Sequence, residues 1–164
     1  MPRELDQFDL KILDAMQADS TKSAQQLGED VGLSQPACWK RINRLAREGY
    51  IRKQVALLDG EKIGAGTTVF ATVKLASQDS TSLNAFAQAV QRIPNIMACY
   101  VLMGDMDFML QIVVDQIQDY EKLYINVLSK IEGVAEFKST MALSTIKQTT
   151  AFPISVKSGG DGSE

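Results

Sequence analysis

The 164-residue sequence contains no histidine and only two cysteines, Cys38 and Cys99. Without an imidazole there is no Ser-His-Asp triad, no Cys-His pair and no histidine-bound zinc, and a pair of thiolates is too small for an all-cysteine zinc site. Two cysteines so far apart in sequence also exclude a disulfide scaffold and fit a reducing compartment. Hydrolytic and zinc-dependent enzymes therefore lose most of their support.

Long apolar runs and glycine-rich phosphate loops are missing too. No apolar stretch approaches the roughly 20 residues of a membrane-spanning helix, and the first residues lack the cationic and apolar regions of a signal peptide. Residues 64–66 hold two glycines without the third glycine and the context of a dinucleotide-binding loop. We therefore expect a cytoplasmic protein that is not an enzyme, has no contact with a membrane and needs no metal or cofactor.

Positive charge is scarce on average but concentrated in one segment. The sequence has 17 basic and 20 acidic residues, a net charge of -3. From Lys40 to Lys53, however, six residues are basic and one is acidic, a local charge of +5. Local charge governs association with a polyanion more than the mean does, so this segment is the candidate for nucleic-acid contact.

The first 50 residues predict three helices. The apolar residues of the first helix recur at spacings of three and four; they are Leu5, Phe8, Ile12, Leu13 and Met16. Ser23 and Gln26 have the form of a capping box for a second, short helix. Gly32 permits a reversal, Ser34 can cap a third helix, and Gly49 can end it.

The third helix, residues 34–48, has an apolar side and a basic side. At 100° per residue, Cys38, Ile42 and Leu45 share the inner face, with Cys38 as a small core residue. The opposite side suits the major groove of DNA. The residues predicted for the reading surface and its base edges are Ser34, Gln35, Pro36, Trp39, Lys40 and Asn43. The residues predicted to clamp phosphates are Arg41, Arg44, Arg47, Arg52 and Lys53. Trp39 lies at the border of the exposed side, and its packing on the first helix remains an alternative.

Beyond Gly49 the pattern changes to strands. Residues 50–58 predict a wing or linker strand. The following segments predict the order β-α-β-β-α-β, and they are 67–75, 83–90, 96–102, 108–114, 117–131 and 134–146. This order is that of a ferredoxin-like sheet with both helices on one face, whose other face is expected to be covered by self-association.

The predicted fold class is therefore α+β, with a helix-turn-helix domain in residues 1–50 and a wing or linker strand in 51–64. A ferredoxin-like domain follows in residues 65–155. The tail, residues 156–164, is too polar and glycine-rich to pack and is predicted to be disordered.

The sequence to about Ser155 resembles the Lrp/AsnC family, the feast/famine regulators of bacteria and archaea. The stretches that carry the resemblance are Leu5-Asp6-x-x-Asp9-x-x-Ile12-Leu13, Gly32-Leu33-Ser34, Arg41-Ile42-x-Arg44-Leu45-x-x-x-Gly49-Tyr50-Ile51 and Gly104-Asp105-x-Asp107-Phe108-Met109-Leu110. The resemblance implies a winged helix-turn-helix and a C-terminal ligand-sensing domain. It also implies a homodimer, often assembled to an octamer, on double-stranded operator DNA with an amino acid as effector.

The resemblance further implies an effector pocket at a contact between dimers. The implied pocket residues are Tyr100, Leu102, Gly104, Asp105, Asp107, Ile117 and Ala142. A glycine beside carboxylates offers open backbone groups and a negative charge for an α-ammonium, whereas two carboxylates are too few for a calcium site. Residues 36–41 and 55–59 are similar to the branch that includes cysteine-responsive regulators, and the choice among cysteine, leucine or another amino acid stays open.

Two other functions stay open. A purely architectural DNA-packing protein would share the basic helix without responding to a ligand. A small-molecule-binding enzyme has few groups to use, because Asp105, Asp107 and Lys147 are the only acid-base residues near the implied pocket and none is paired with a nucleophile.

Overall fold

The structure, a computed structural model, describes residues 4–154. Within them the elements are α1 Gln7–Ala18, α2 Ala24–Val31, α3 Gln35–Arg47, β1 Thr67–Leu75, α4 Ser80–Gln91, β2 Ile96–Val101, β3 Phe108–Val114, α5 Ile117–Asn126 and β4 Val134–Met141. The chain divides into two compact units. The sheet unit is Leu57–Ile146, and the helical unit joins the residues up to Ala56 with those from Lys147 onward.

Side chains cap the N-termini of α1 and α2 in the helical unit. The Asp6 carboxylate accepts a hydrogen bond from the Asp9 amide at 2.9 Å, and the Asp9 carboxylate accepts one from the Asp6 amide at 3.1 Å. Ser23 and Gln26 form the capping box predicted for α2. Gly32 follows α2 with φ 77°, a left-handed conformation that glycine adopts without strain and that turns the chain toward α3.

Helix α3 has the predicted inner face. Cys38 and Leu45 are fully buried, and the half-buried Ile42 packs against the same core. Ser34 occupies the N-cap position without a capping hydrogen bond from its side chain, and Gly49 follows the helix with φ 83°. The core of the helical unit consists of Ile12, Met16, Leu27, Val31, Cys38 and Leu45.

The sheet unit has the predicted β-α-β-β-α-β order, with antiparallel strands in the spatial order β2-β3-β1-β4. Alternate residues of β1 and β3 face one buried cluster, which also receives Phe86 and Val90 from α4 and Tyr120 from α5. Both helices therefore cover the same face of the sheet. The ferredoxin-like prediction is confirmed.

Two predicted strands differ from the structure. Residues 50–58 form no strand, and Val55, Leu57 and Leu58 are exposed there. These residues favour extended backbone, but a strand exists only where a neighbouring strand receives its hydrogen bonds. The last predicted strand, 134–146, ends at Met141. The predicted helix 117–131 likewise ends at Asn126 and gives way to a 3₁₀ helix at Leu128–Lys130.

The end of the described chain belongs to the helical unit. The Gln17 side-chain amide donates to the Phe152 carbonyl at 2.7 Å, and the Phe152 amide donates to the Gln17 side-chain oxygen at 2.9 Å. The structure thus groups residues 147–154 with α1, whereas the sequence prediction kept all of 65–155 in one domain. The predicted disordered tail, 156–164, lies outside the described residues.

Candidate nucleic-acid interface and effector turn

One side of α3 presents polar and cationic side chains to the surroundings. The exposed members of the predicted DNA-contact set are Ser34, Gln35, Pro36, Trp39, Lys40, Asn43, Arg47, Arg52 and Lys53. Trp39 is 62% exposed, so it does not take the alternative place against the first helix. One depression of about 540 Å³ on this side of α3 is lined by Ala37, Trp39, Lys40, Arg41, Asn43, Arg44 and Arg47. We call the exposed side of α3, from Gln35 to Arg47, the reading arc.

Arg41 and Arg44 point from α3 toward the start of α1. One terminal nitrogen of Arg41, Nη1, lies 2.7 Å from Asp6 Oδ2 and 2.7 Å from Asp9 Oδ1. Nη2 of Arg44 lies 2.5 Å from Asp9 Oδ2, and its Nη1 is buried 3.8 Å from Glu48 Oε2. In this structure the Arg44 guanidinium group is ion-paired to Asp9, although Arg44 also lines the depression beside Lys40 and Arg47, so its role as a phosphate clamp stays a prediction.

The Asp9 carboxylate is the charged centre of this cluster and is only 1% exposed. Burial alone would raise the pKa of Asp9, but hydrogen bonds from Arg44, from the Asp6 amide and from Arg41 outweigh that effect and lower the pKa. The pKa of Asp6 is lowered in the same way, with hydrogen bonds from Arg41 and from the Asp9 amide outweighing the effect of burial. Both carboxyl groups are therefore ionised at neutral pH and hold the two arginines as ion pairs.

The predicted effector turn connects β2 to β3. Gly104 and Asp105 are exposed in it, whereas Asp107 is only 6% exposed. The Asp107 carboxylate accepts a hydrogen bond from the Leu75 amide at 2.7 Å and one from the Gln78 side chain at 2.6 Å. Both oxygens of Asp107 thus anchor the turn to the end of β1. The ammonium contact predicted for Asp107 stays a prediction, and Asp105 is the more exposed of the two carboxylates.

The other predicted effector residues lie apart in a single chain. Tyr100 is on the edge strand β2 and is 57% exposed, whereas Ala142 follows β4 at the opposite edge. Three strand spacings of roughly 4.8 Å each put these two edges about 14 Å apart. Ile117, 47% exposed, begins α5, and Leu102 is half-buried beside the turn. One copy of the chain does not bring Tyr100 and Ala142 to one small ligand.

The pKa values of the two thiols are both raised, although Cys99 is exposed on β2. Cys38 is buried, as predicted for a small core residue, and burial raises the pKa of its thiol more than the nearby Arg41 lowers it. Burial also raises the pKa of the Cys99 thiol. Among residues 4–154, no three metal-binding side chains form a cluster, and no helix has the length and apolar content to cross a membrane.

Comparison with known proteins identifies the family. Residues 68–152 match the Lrp/AsnC ligand binding domain, and residues 5–52 match a winged helix-turn-helix DNA-binding domain. A glutamate uptake regulatory protein of Zymomonas mobilis is 38% identical over 154 residues, 94% of this chain and 93% of the relative. The chain belongs to the Lrp/AsnC family.

Solved structures extend the similarity to the fold of this Lrp/AsnC chain. An AsnC family transcriptional regulator from Agrobacterium tumefaciens has a TM-score of 0.87 and 38% identity, covering 91% of this chain and 97% of that one. A transcriptional regulator from Neisseria meningitidis, solved as an L-Met complex, has a TM-score of 0.87 and 29% identity, covering 92% and 97%. The Lrp/AsnC chain is thus a DNA-binding transcription regulator with a winged helix-turn-helix and a ferredoxin-like domain.

Sequence reasoning missed the ionic cluster of this Lrp/AsnC regulator. In the sequence-based prediction, Asp6 and Asp9 were used only as part of the family resemblance, although their spacing and that of the arginines indicated an ionic contact. They are three residues apart at the start of one helix, and Arg41 and Arg44 are three residues apart on another. Side chains at this spacing share a helix face, so the two pairs are matched in spacing and opposite in charge.

Proposed function

We propose that this regulator binds a specific double-stranded DNA operator through the reading arc of α3 and that an amino acid modulates its DNA binding or assembly. It acts in the cytoplasm and catalyses no reaction. The observation that carries the proposal is the exposure of Lys40, Asn43 and Arg47 on one side of a helix with a buried opposite face. Cations and an amide at helical spacing match phosphate and base-edge contacts in the major groove.

The proposed DNA contacts fall into two groups. Gln35, Trp39, Lys40 and Asn43 face base edges or the groove wall, where the Trp39 ring suits a thymine methyl group. The residues that flank this group or contact phosphates are Ser34, Pro36, Arg47, Arg52 and Lys53. Arg41 is half-buried and contributes at most a partial phosphate contact beside its ion pairs.

Salt dependence of DNA binding tests this assignment. Removing one phosphate contact flattens the slope of log K against log salt concentration by about 0.9. Arg47→Ala is therefore expected to weaken binding to all duplexes and to flatten the slope by about that amount per subunit. Lys130→Ala removes one exposed cation from the sheet unit and is the matched control. Equal slopes for both variants and the wild type would contradict the reading arc.

The proposed effector is an amino acid held between copies of the chain near the turn. Support comes from the Lrp/AsnC ligand binding domain match and from the L-Met complex of the Neisseria meningitidis relative. Gly104 and Asp105 offer open backbone groups and an accessible carboxylate, and Tyr100, Leu102, Ile117 and Ala142 add mostly apolar surface. A site shared between copies fits the separation of the two sheet edges within one chain.

A homodimer, assembling further to an octamer, is proposed from the uncovered face of the sheet. Phe70, Tyr100 and Met109 are 41%, 57% and 36% exposed, and all three face away from the α4 and α5 side. Burial of such apolar side chains against a second copy is favourable. Light scattering after size-exclusion chromatography measures the assembly, and a monomer at micromolar concentration would contradict it.

Thermal unfolding in the presence of each common amino acid tests the effector. A ligand at about 100 times its dissociation constant adds about 2.7 kcal/mol to the free energy of unfolding. We expect one or a few amino acids, with cysteine and leucine among the first to try, to raise the melting temperature and to change operator affinity. No response to any of them would favour the architectural DNA-packing alternative.

A further inference from the structure

We propose that Asp9 is a positioning residue for DNA recognition, which holds Arg41 and Arg44 against α1, orients the reading helix and keeps both guanidinium groups off the DNA backbone. This inference rests on the proposed function, because it concerns the same helix. It assigns a role to a residue that does not face the DNA.

The geometry of the cluster explains why Asp9 is central to it. Each oxygen of its carboxylate receives a different arginine of α3, with Arg41 on Oδ1 and Arg44 on Oδ2. Oδ2 also accepts the Asp6 amide, so the same carboxylate closes the capping box of α1. One buried side chain thereby fixes the start of α1 and two successive turns of α3.

Burial explains why Arg44 stays in the cluster when DNA is bound. Its side chain is 16% exposed, and its second terminal nitrogen is buried opposite Glu48. Turning the guanidinium group outward to a phosphate would leave the Asp9 carboxylate buried with one ion-pair partner fewer. Arg41 would still pair with Asp9 Oδ1, but Oδ2 would lose its charged partner inside the protein, which is unfavourable, so the inner position is retained.

The neighbouring polar residues have the opposite arrangement. Lys40, Asn43 and Arg47 are exposed, and their side chains make no hydrogen bond or ion pair with any residue in the 4–154 range that the structure describes. Contacts to phosphates are independent of sequence, whereas contacts to base edges discriminate. Keeping Arg41 and Arg44 away from the DNA phosphates therefore increases the share of the binding free energy that depends on the DNA sequence.

The test compares Asp9→Asn with Glu29→Gln. Each replaces a carboxylate of the helical unit by the isosteric amide and raises the net charge by the same amount, but Glu29 is exposed on α2 and does not belong to the cluster. Binding is measured over a range of salt concentrations to two duplexes. One carries a site selected from random DNA with the wild-type protein, and the other has that site scrambled.

For Asp9→Asn we expect two changes. Its salt slope on the scrambled duplex steepens by about 0.9 for each phosphate contact that a released arginine gains. Its preference for the selected site falls by about tenfold or more, the size of one lost base contact. Glu29→Gln keeps the wild-type slope and preference. An Asp9→Asn protein that melts earlier but keeps both binding values would show a purely structural role and overturn the proposal.

A second variant decides the matter if Asp9→Asn does not fold. Asp9→Asn combined with Arg44→Met removes the buried carboxylate together with one of its partners, so fewer charges are left uncompensated. Its salt slope is expected to be no shallower than that of the wild type. A slope flatter by about 0.9 per subunit would identify Arg44 as a phosphate contact and overturn the proposal. If the wild type itself selects no site, the proposed function fails instead.

Discussion

Among residues 4–154, the helical unit and the sheet unit each bury one carboxylate, Asp9 at 1% and Asp107 at 6% exposure, but surround it differently. Asp9 is paired with two charged guanidinium groups from another helix. Asp107 accepts hydrogen bonds from two neutral donors, a backbone amide and a side-chain amide, close to its own strand. A buried carboxylate can thus join two helices through charge or fasten a turn through hydrogen bonds.

Removing the charged centre is expected to have the largest effect. Asp9→Ala leaves Arg44 with only the distant Glu48 and opens the capping box of α1. Breaking a buried ion pair from one side costs about 3 to 5 kcal/mol. Denaturant unfolding, followed by hydrogen exchange of the α1 and α3 amides, measures the loss. A change below about 1 kcal/mol would show that solvent replaces the pair and would remove the contrast between the two carboxylates.

Low pH breaks the ion pairs of Asp9 without a mutation. The pKa values of Asp6 and Asp9 lie below the ordinary value, so the unfolded chain, with an aspartate pKa of about 3.9, takes up protons before the folded chain does. The stability they contribute is present above about pH 4 and is lost as the pH falls through the folded pKa values. We expect the free energy of unfolding to fall less steeply with acid in Asp9→Asn than in the wild type. Parallel curves would contradict the lowered pKa of Asp9.

Removing the buried carboxylate of the sheet unit should lower the free energy of unfolding by less than removing Asp9 does. Asp107→Ala leaves the buried Leu75 amide without its acceptor, which costs about 1 to 3 kcal/mol, whereas the exposed Gln78 side chain bonds to water instead. Asp105→Ala, at an exposed position of the same turn, is the control and is expected to stay within about 0.5 kcal/mol of the wild type. If the two variants unfold alike, Asp107 does not anchor the turn.

The smallest effect is expected at an exposed contact. Gln17→Ala removes both hydrogen bonds to the Phe152 backbone, and Phe152 itself is 72% exposed. Solvent replaces exposed hydrogen bonds, so the free energy of unfolding should change by about 0.5 kcal/mol or less. Faster hydrogen exchange confined to residues 147–154 is the expected local sign. Unchanged exchange in that segment would show that other contacts hold it to the helical unit.

Much of the fold followed from local patterns. The capping box at Ser23, the inner face of α3 and the β-α-β-β-α-β order were all predicted and are present, because each depends on residues a few positions apart. The strand predicted at residues 50–58 is wrong, since its β-forming residues lack a neighbouring strand within the described chain. The DNA contacts, the effector residues and the domain boundaries stay predictions.

The amino-acid sequence was enough to predict a basic, amphipathic helix after two others and to recognise the resemblance to the Lrp/AsnC regulators. Helical periodicity reports the angle of each side chain around its own axis. It does not report which residue approaches from another helix. The packing of the helices brings Arg41 to Asp6 and Asp9, which lie 35 and 32 positions earlier, and leaves Lys40 and Arg47 exposed. The physical reason is that burial and charge pairing depend on distance in space, so side chains on one helix with similar chemistry acquire different roles.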